Sequence, residues 1–121
     1  MIIADIIYNL LPEDWPKVVG DLPAVRRIAV GIMEYDGATS TEYFGPNNGN
    51  CSIFGPIVKI VVRHESYPIG QQWISDIKDI LHRYHDDTIL SMLLVGAPIY
   101  LGRNSEKLHE FQITFKTQVK E

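Results

Sequence analysis

The stretch Ile57-Val58-Lys59-Ile60-Val61-Val62-Arg63-His64, IVKIVVRH, is apolar at most positions and rich in β-branched residues. Such a run predicts a central β-strand covered on both faces. C-terminal to it, Pro68-Ile69-Gly70 precedes a segment, Gln71 to His85, in which Trp73, Ile74, Ile77, Ile80, Leu81 and Tyr84 share one helical face. Asp76, Lys78, Asp79 and Arg83 lie opposite, so the segment reads as a long amphipathic helix. Asp86-Asp87 closes it, and Thr88 to Val95 (TILSMLLV) is again strand-like. Gly96-Ala97-Pro98 makes a break, Ile99 to Leu101 a short strand, and Gly102-Arg103-Asn104-Ser105 a polar turn. The last segment, His109 to Val119, alternates: His109, Phe111, Ile113, Phe115, Thr117 and Val119 on one side, Glu110, Gln112, Thr114, Lys116 and Gln118 on the other. One side is core, the other solvent or a partner.

N-terminal to the central strand the punctuation is denser. Ile2, Ile3, Ile6, Ile7, Leu10 and Leu11 form one helical stripe, which Pro12 ends. Residues 12–24 hold Pro12, Pro16, Gly20 and Pro23 and read as a loop from which Trp15 packs back on the core. Val25 to Tyr35 is a strand ended by the turn signal Asp36-Gly37, and a weaker strand is expected over Thr39 to Phe44. Residues 45–55, with Gly45-Pro46-Asn47-Asn48-Gly49-Asn50, read as an exposed Gly/Asn-rich loop, either a plain connector or a functional hairpin tip. With no repeat and a length of 121 residues, the expectation is one domain spanning 1–121. Its class is α+β: a mixed, mainly antiparallel sheet with the long amphipathic helix and the short N-terminal helix packed on one face.

The formal charge is −4, and the eleven Lys and Arg are scattered, with Arg26-Arg27 the tightest pair. That balance argues against a phosphate-neutralising grip on nucleic acid. The single cysteine, Cys51, leaves no disulfide framework. No basic leader or bilayer-length apolar run is present, so a soluble, intracellular protein is expected.

Candidate chemistry is sparse. His82-Arg83-Tyr84-His85-Asp86-Asp87, with His64-Glu65, has the residue types of a metal site. Histidines in a last helical turn with aspartates beyond are equally the pattern of a helix end. Cys51 has no base near it in sequence, the carboxylates have no spacing that demands catalysis, and Gly45 to Gly55 lacks the phosphate-loop ending. The expectation is therefore no enzyme, with no catalytic, cofactor or metal residues. Two readings compete with that one: a small metal-dependent or hydrolytic enzyme using His64, His82, His85 and Asp86, and a dimeric ligand-binding α+β module.

The succession from Ile57 to Arg63, Tyr67-Pro68, the helix with Ile77-Lys78-Asp79-Ile80-Leu81, then Leu101-Gly102-Arg103-Asn104 and Phe111-Gln112-Ile113-Thr114-Phe115 resembles a known family. It is that of the minor capsid proteins of long-tailed bacteriophages and prophages that serve as tail terminators. The resemblance covers residues 57–119, and the acidic residue the family carries soon after Leu-Gly comes here only at Glu106. It implies a structural virion protein of the head–tail junction, made in the bacterial host cytoplasm and free of cofactors and membrane. It further implies a ring of copies of itself, commonly six, that caps the tail tube, stops tube polymerisation and meets the head connector protein. A neighbouring neck protein is the alternative within the same setting. DNA would pass through the ring without being specifically bound. On that reading the candidate interface residues are Ile53 and Phe54 in the 45–55 loop, together with Arg63, Glu65, Arg103 and Glu106.

Overall fold

The computed structural model describes residues 2–20, 27–35, 53–54, 56–87, 89–104 and 107–120. In chain order these form α1 (Ile2–Leu10), β1 (Lys17–Val19), β2 (Ala29–Tyr35), β3 (Ile53–Phe54), β4 (Ile57–His64), α2 (Tyr67–Leu81), β5 (Ile89–Leu94), β6 (Ile99–Arg103) and β7 (His109–Lys120). The strands make one sheet in the order β1-β2-β4-β7, with β5 and β6 both on the outer side of β7. β1 runs parallel to β2, and the other described pairings are antiparallel. The fold is thus α+β with a mixed, mainly antiparallel sheet.

β4 is central, as its composition predicts, but only one of its faces is fully covered. Val58, Ile60, Val62 and His64 are buried, while Ile57, Lys59, Val61 and Arg63 are half-buried. The alternation places Lys59 and Arg63 on the second face, where no described element packs. Both helices lie on the first face, where Ile3, Ile7, Ile74, Ile77 and Leu81 join Ile32, Ile60, Ile113 and Phe115 in one core. Trp15 returns to that core and stacks on Trp73, ring centroids 4.7 Å apart.

Of the boundaries that differ from the sequence expectation, three bear on the packing. α2 spans Tyr67–Leu81 instead of 71–85, because Ser66 caps it, its hydroxyl accepting from Ile69 N at 3.4 Å, and Pro68 sits in the first turn. Proline is tolerated there because first-turn N–H groups have no partner within the helix. The 12–24 loop contains β1, held to β2 by backbone pairing. Lys17 of β1 is nearly buried, and its Nζ donates to the carbonyls of Tyr8 (3.0 Å) and Leu11 (3.1 Å). That cation stands at the negative end of α1, which carries no basic residue in its own last turn. At the other end of α1, Glu34 accepts from Ala4 N at 3.2 Å.

The third difference lies in the loop expected over 45–55. Ile53 and Phe54 pair with Lys120 and Val119 in the register that β4 continues at Ile57–Lys116. Between them the Pro56 carbonyl accepts from both Thr117 N (3.1 Å) and Thr117 Oγ1 (2.7 Å). The rest of that loop, and the strand expected over Thr39 to Phe44, lie outside the described residues.

Candidate assembly surface

From Ile89 to Gly102 the chain carries no charged residue. This stretch supplies β5 and β6, which follow one another along the outer side of β7, separated by Gly96-Ala97-Pro98. Among the described elements none pairs with the free side of β5 or β6. The edge is apolar and open: Leu93, Val95, Ile99, Tyr100 and Leu101 are 47%, 48%, 53%, 43% and 49% exposed. Scattered single apolar residues on a surface are ordinary, whereas five close together along β5, its link to β6 and β6 make this edge the candidate contact surface.

The backbone of this edge is irregular. Register shifts fall between Ile89 and Ser91 and between Tyr100 and Gly102, with Pro98 between them. Gly102 takes φ 92°, which lets the strand absorb the second shift and run on to Arg103 instead of turning at Gly102 as the sequence suggests. Bulges and proline blunt a sheet edge as a pairing template. What this edge presents is therefore chiefly apolar side chains, not a regular row of free backbone groups.

The β6 end of the edge is tied to the start of α2 by rings. Tyr67 meets Tyr100 edge-on at 5.1 Å and Phe111 at 5.3 Å, and Tyr100 meets Phe111 at 5.1 Å. Tyr100 Oη lies 2.8 Å from His109 Nδ1. Gly70 lets the helix come this close: a Cβ there would stand 2.5 Å from Phe111 Cε1. Beneath the same turn His64, opposite His109 in the ladder, accepts from Ser66 N through Nδ1 at 2.9 Å and sits edge-on to Trp73.

The sequence-nominated interface residues do not converge on one patch. Arg63 is on the second sheet face, where its Nε donates to Glu110 Oε2 at 2.9 Å, both side chains half-buried. Glu65 is exposed beside the sheet and pairs with Arg27 at 3.3 Å. Arg103 is exposed at the end of β6, adjoining the apolar edge. Ile53 and Phe54 pair with the end of β7, and Glu106 lies outside the described residues. The edge residues Leu93, Val95, Ile99, Tyr100 and Leu101 are not among the interface residues expected from the sequence. Their signal was available as a charge-free run longer than one strand needs, but apolar strands are ordinarily core.

The histidine-rich helix end is built as a joint. His82 caps α2, and its Nδ1 accepts from Leu94 N at 3.1 Å, fastening the helix to β5. Tyr84 donates its phenol to Asp86 Oδ2 at 2.9 Å, a bond that raises the Tyr84 pKa, and Asp86 Oδ1 accepts from Ile89 N at 2.7 Å. His85 is exposed, and His64 lies at the opposite end of α2. Among the described residues no three His, Cys, Asp or Glu side chains come together as a metal site, and no helix is long and apolar enough to cross a membrane.

No family model and no curated protein matches this chain. Among solved structures, a chain from the virion of a native gene transfer agent particle is similar to it. That likeness has a TM-score of 0.53 at 5% identity and covers 100% of this chain and 87% of the other. What the two chains share is the fold, over the whole length of this one.

Proposed function

We propose that this chain is a structural virion subunit that caps the tail tube, stops its polymerisation and forms the head–tail joining surface. It works as a ring of its own copies, with six as the expected number, and has no enzymatic role. The observation that carries this reading is the full-length fold likeness to a chain of a gene transfer agent virion. The order of elements from β4 to β7, which resembles the tail-terminator family, supports it independently. A closed ring needs two different complementary patches on each subunit, and the charge-free β5–β6 edge is suited to be one of them. The net charge of −4 suits a lumen through which DNA passes without being held.

The test is tail-tube polymerisation in the presence of the purified protein. Arrest of elongation at substoichiometric amounts, with the protein found at tube ends, is expected. Tubes of unaltered length with no bound protein overturn the terminator role. Binding to the head connector alone would assign the neighbouring neck position, and a dimer indifferent to both would favour a ligand-binding module.

A further inference from the structure

We propose that His64 is an acid-sensitive latch that holds the first turn of α2, and through Tyr67 the β6 edge, in place only while its imidazole is neutral. Three observations carry this. First, His64 is 7% exposed and its Nδ1 accepts the N–H of Ser66, the residue that caps α2. Protonation converts Nδ1 from acceptor to donor, so the two N–H groups would then point at each other. Second, the charge would appear at the positive end of a helix whose first turn holds no acidic residue. Third, Tyr67, the residue after the cap, makes the ring contacts to Tyr100 and Phe111 that fasten β6. Loosening the cap therefore loosens the clasp on the apolar edge.

The surrounding charges are few. Glu65, adjacent in the chain, favours the protonated form but is itself paired with Arg27 from the β2 side. β7 places His109 opposite, with its Nδ1 engaged by Tyr100, and α2 contributes the uncharged Trp73 and the phenol of Tyr67. Arg63 and Glu110 are paired to each other on the other face of the sheet. Burial outweighs Glu65 and lowers the His64 pKa below 6.5. The sign follows: the unfolded or unlatched chain binds the proton more readily. The latch contribution is complete above about pH 6.5 and is lost as pH falls from there through the lowered folded value.

Amide hydrogen exchange, corrected for its intrinsic pH dependence, together with the NMR titration of the four histidines, tests this. In the wild type, protection at Ser66, Ile69 and Gly70, whose N–H groups donate to the His64 ring and to Ser66, should fall between pH 7.5 and 5, by roughly tenfold per unit of pKa lowering. The ring signals of Tyr67 and Tyr100 should move with the same midpoint. His64→Asn keeps an acceptor at the Nδ1 position without a titrating group, and it should abolish the pH dependence. His109→Gln should leave it intact. The latch is overturned if His64 titrates at or above 6.5, or if protection at Ser66 and Ile69 is the same at both pH values. It is equally overturned if His64→Asn retains the wild-type pH dependence. Should that variant not fold, the wild-type titration and exchange decide alone. None of these readouts depends on ring formation, so the latch and the terminator role fail separately.

Discussion

Replacing Gly70 with alanine probes the closest approach between helix and sheet. The added methyl would stand 2.5 Å from Phe111 Cε1, 3.1 Å from Phe111 Cδ1 and 3.4 Å from His64 Cβ. The Phe111 ring must retreat by about an ångström, yet it is 4% exposed and confined by Tyr67 and Tyr100. Overpacking of this kind costs about 1–3 kcal/mol. The intrinsic gain of Gly→Ala inside a helix is about 1 kcal/mol. The two together leave a loss of about 0–2 kcal/mol; with the ring held on two sides by Tyr67 and Tyr100 the upper half of that range is expected, about 1–2 kcal/mol, or about 4–8 °C in Tm for a chain of this length. Urea unfolding followed by fluorescence of the stacked Trp15–Trp73 pair reads it directly. In a Phe111→Leu background the ring edge is gone, and Gly70→Ala should become neutral or stabilising. A double-mutant cycle would then give a coupling of at least ~1 kcal/mol. A neutral Gly70→Ala in the wild type, or an equal cost in both backgrounds, would show that the Phe111 ring does not limit the approach of the helix.

Other substitutions test neighbouring features. Lys17→Met removes the cation that serves two carbonyls at the end of α1 and should cost about 1–3 kcal/mol in urea unfolding. Thr117→Val removes the 2.7 Å hydroxyl bond to Pro56 O while leaving the backbone bond, so a smaller loss of about 1 kcal/mol is expected by the same assay. Arg83 follows the helix cap at φ 69°, where an L side chain is strained, and Arg83→Gly should raise the stability by about 0.5–1 kcal/mol.

Much of the architecture was legible because its periodicities are strong. β4 and β7 announce themselves by β-branching and by strict alternation, and α2 by its apolar stripe. The start of α2 was misplaced because Pro68 reads as a breaker, while inside a first turn it is an ordinary helix residue. β1 was missed because three residues between prolines and glycine carry no pattern, and its parallel pairing with β2 is a tertiary fact. Gly102 was read as a turn because the sequence cannot distinguish a turn glycine from one that absorbs a bulge. The candidate surface was least legible. Leu93, Ile99 and Leu101 look like core until the topology puts β5 and β6 at the sheet edge, and Arg63 looks free until the register puts Glu110 opposite it. Assembly surfaces and cores use the same side chains, so only placement separates them.

The assembly proposed for this chain has its β5–β6 edge meet a neighbouring subunit. The most direct measurement is solution mass by light scattering, with and without tail tubes, for the wild type and for Ile99→Lys. Ile99 is the most exposed of the five apolar residues of the edge and lies opposite Gln112, on the face away from the helices. An exposed substitution of this kind should change unfolding free energy by no more than about 0.5 kcal/mol. A discrete ring, free or at tube ends, is expected for the wild type, and its loss in a normally folded Ile99→Lys. A wild type that stays monomeric or dimeric with tubes present, or an Ile99→Lys that assembles as the wild type does, would contradict it.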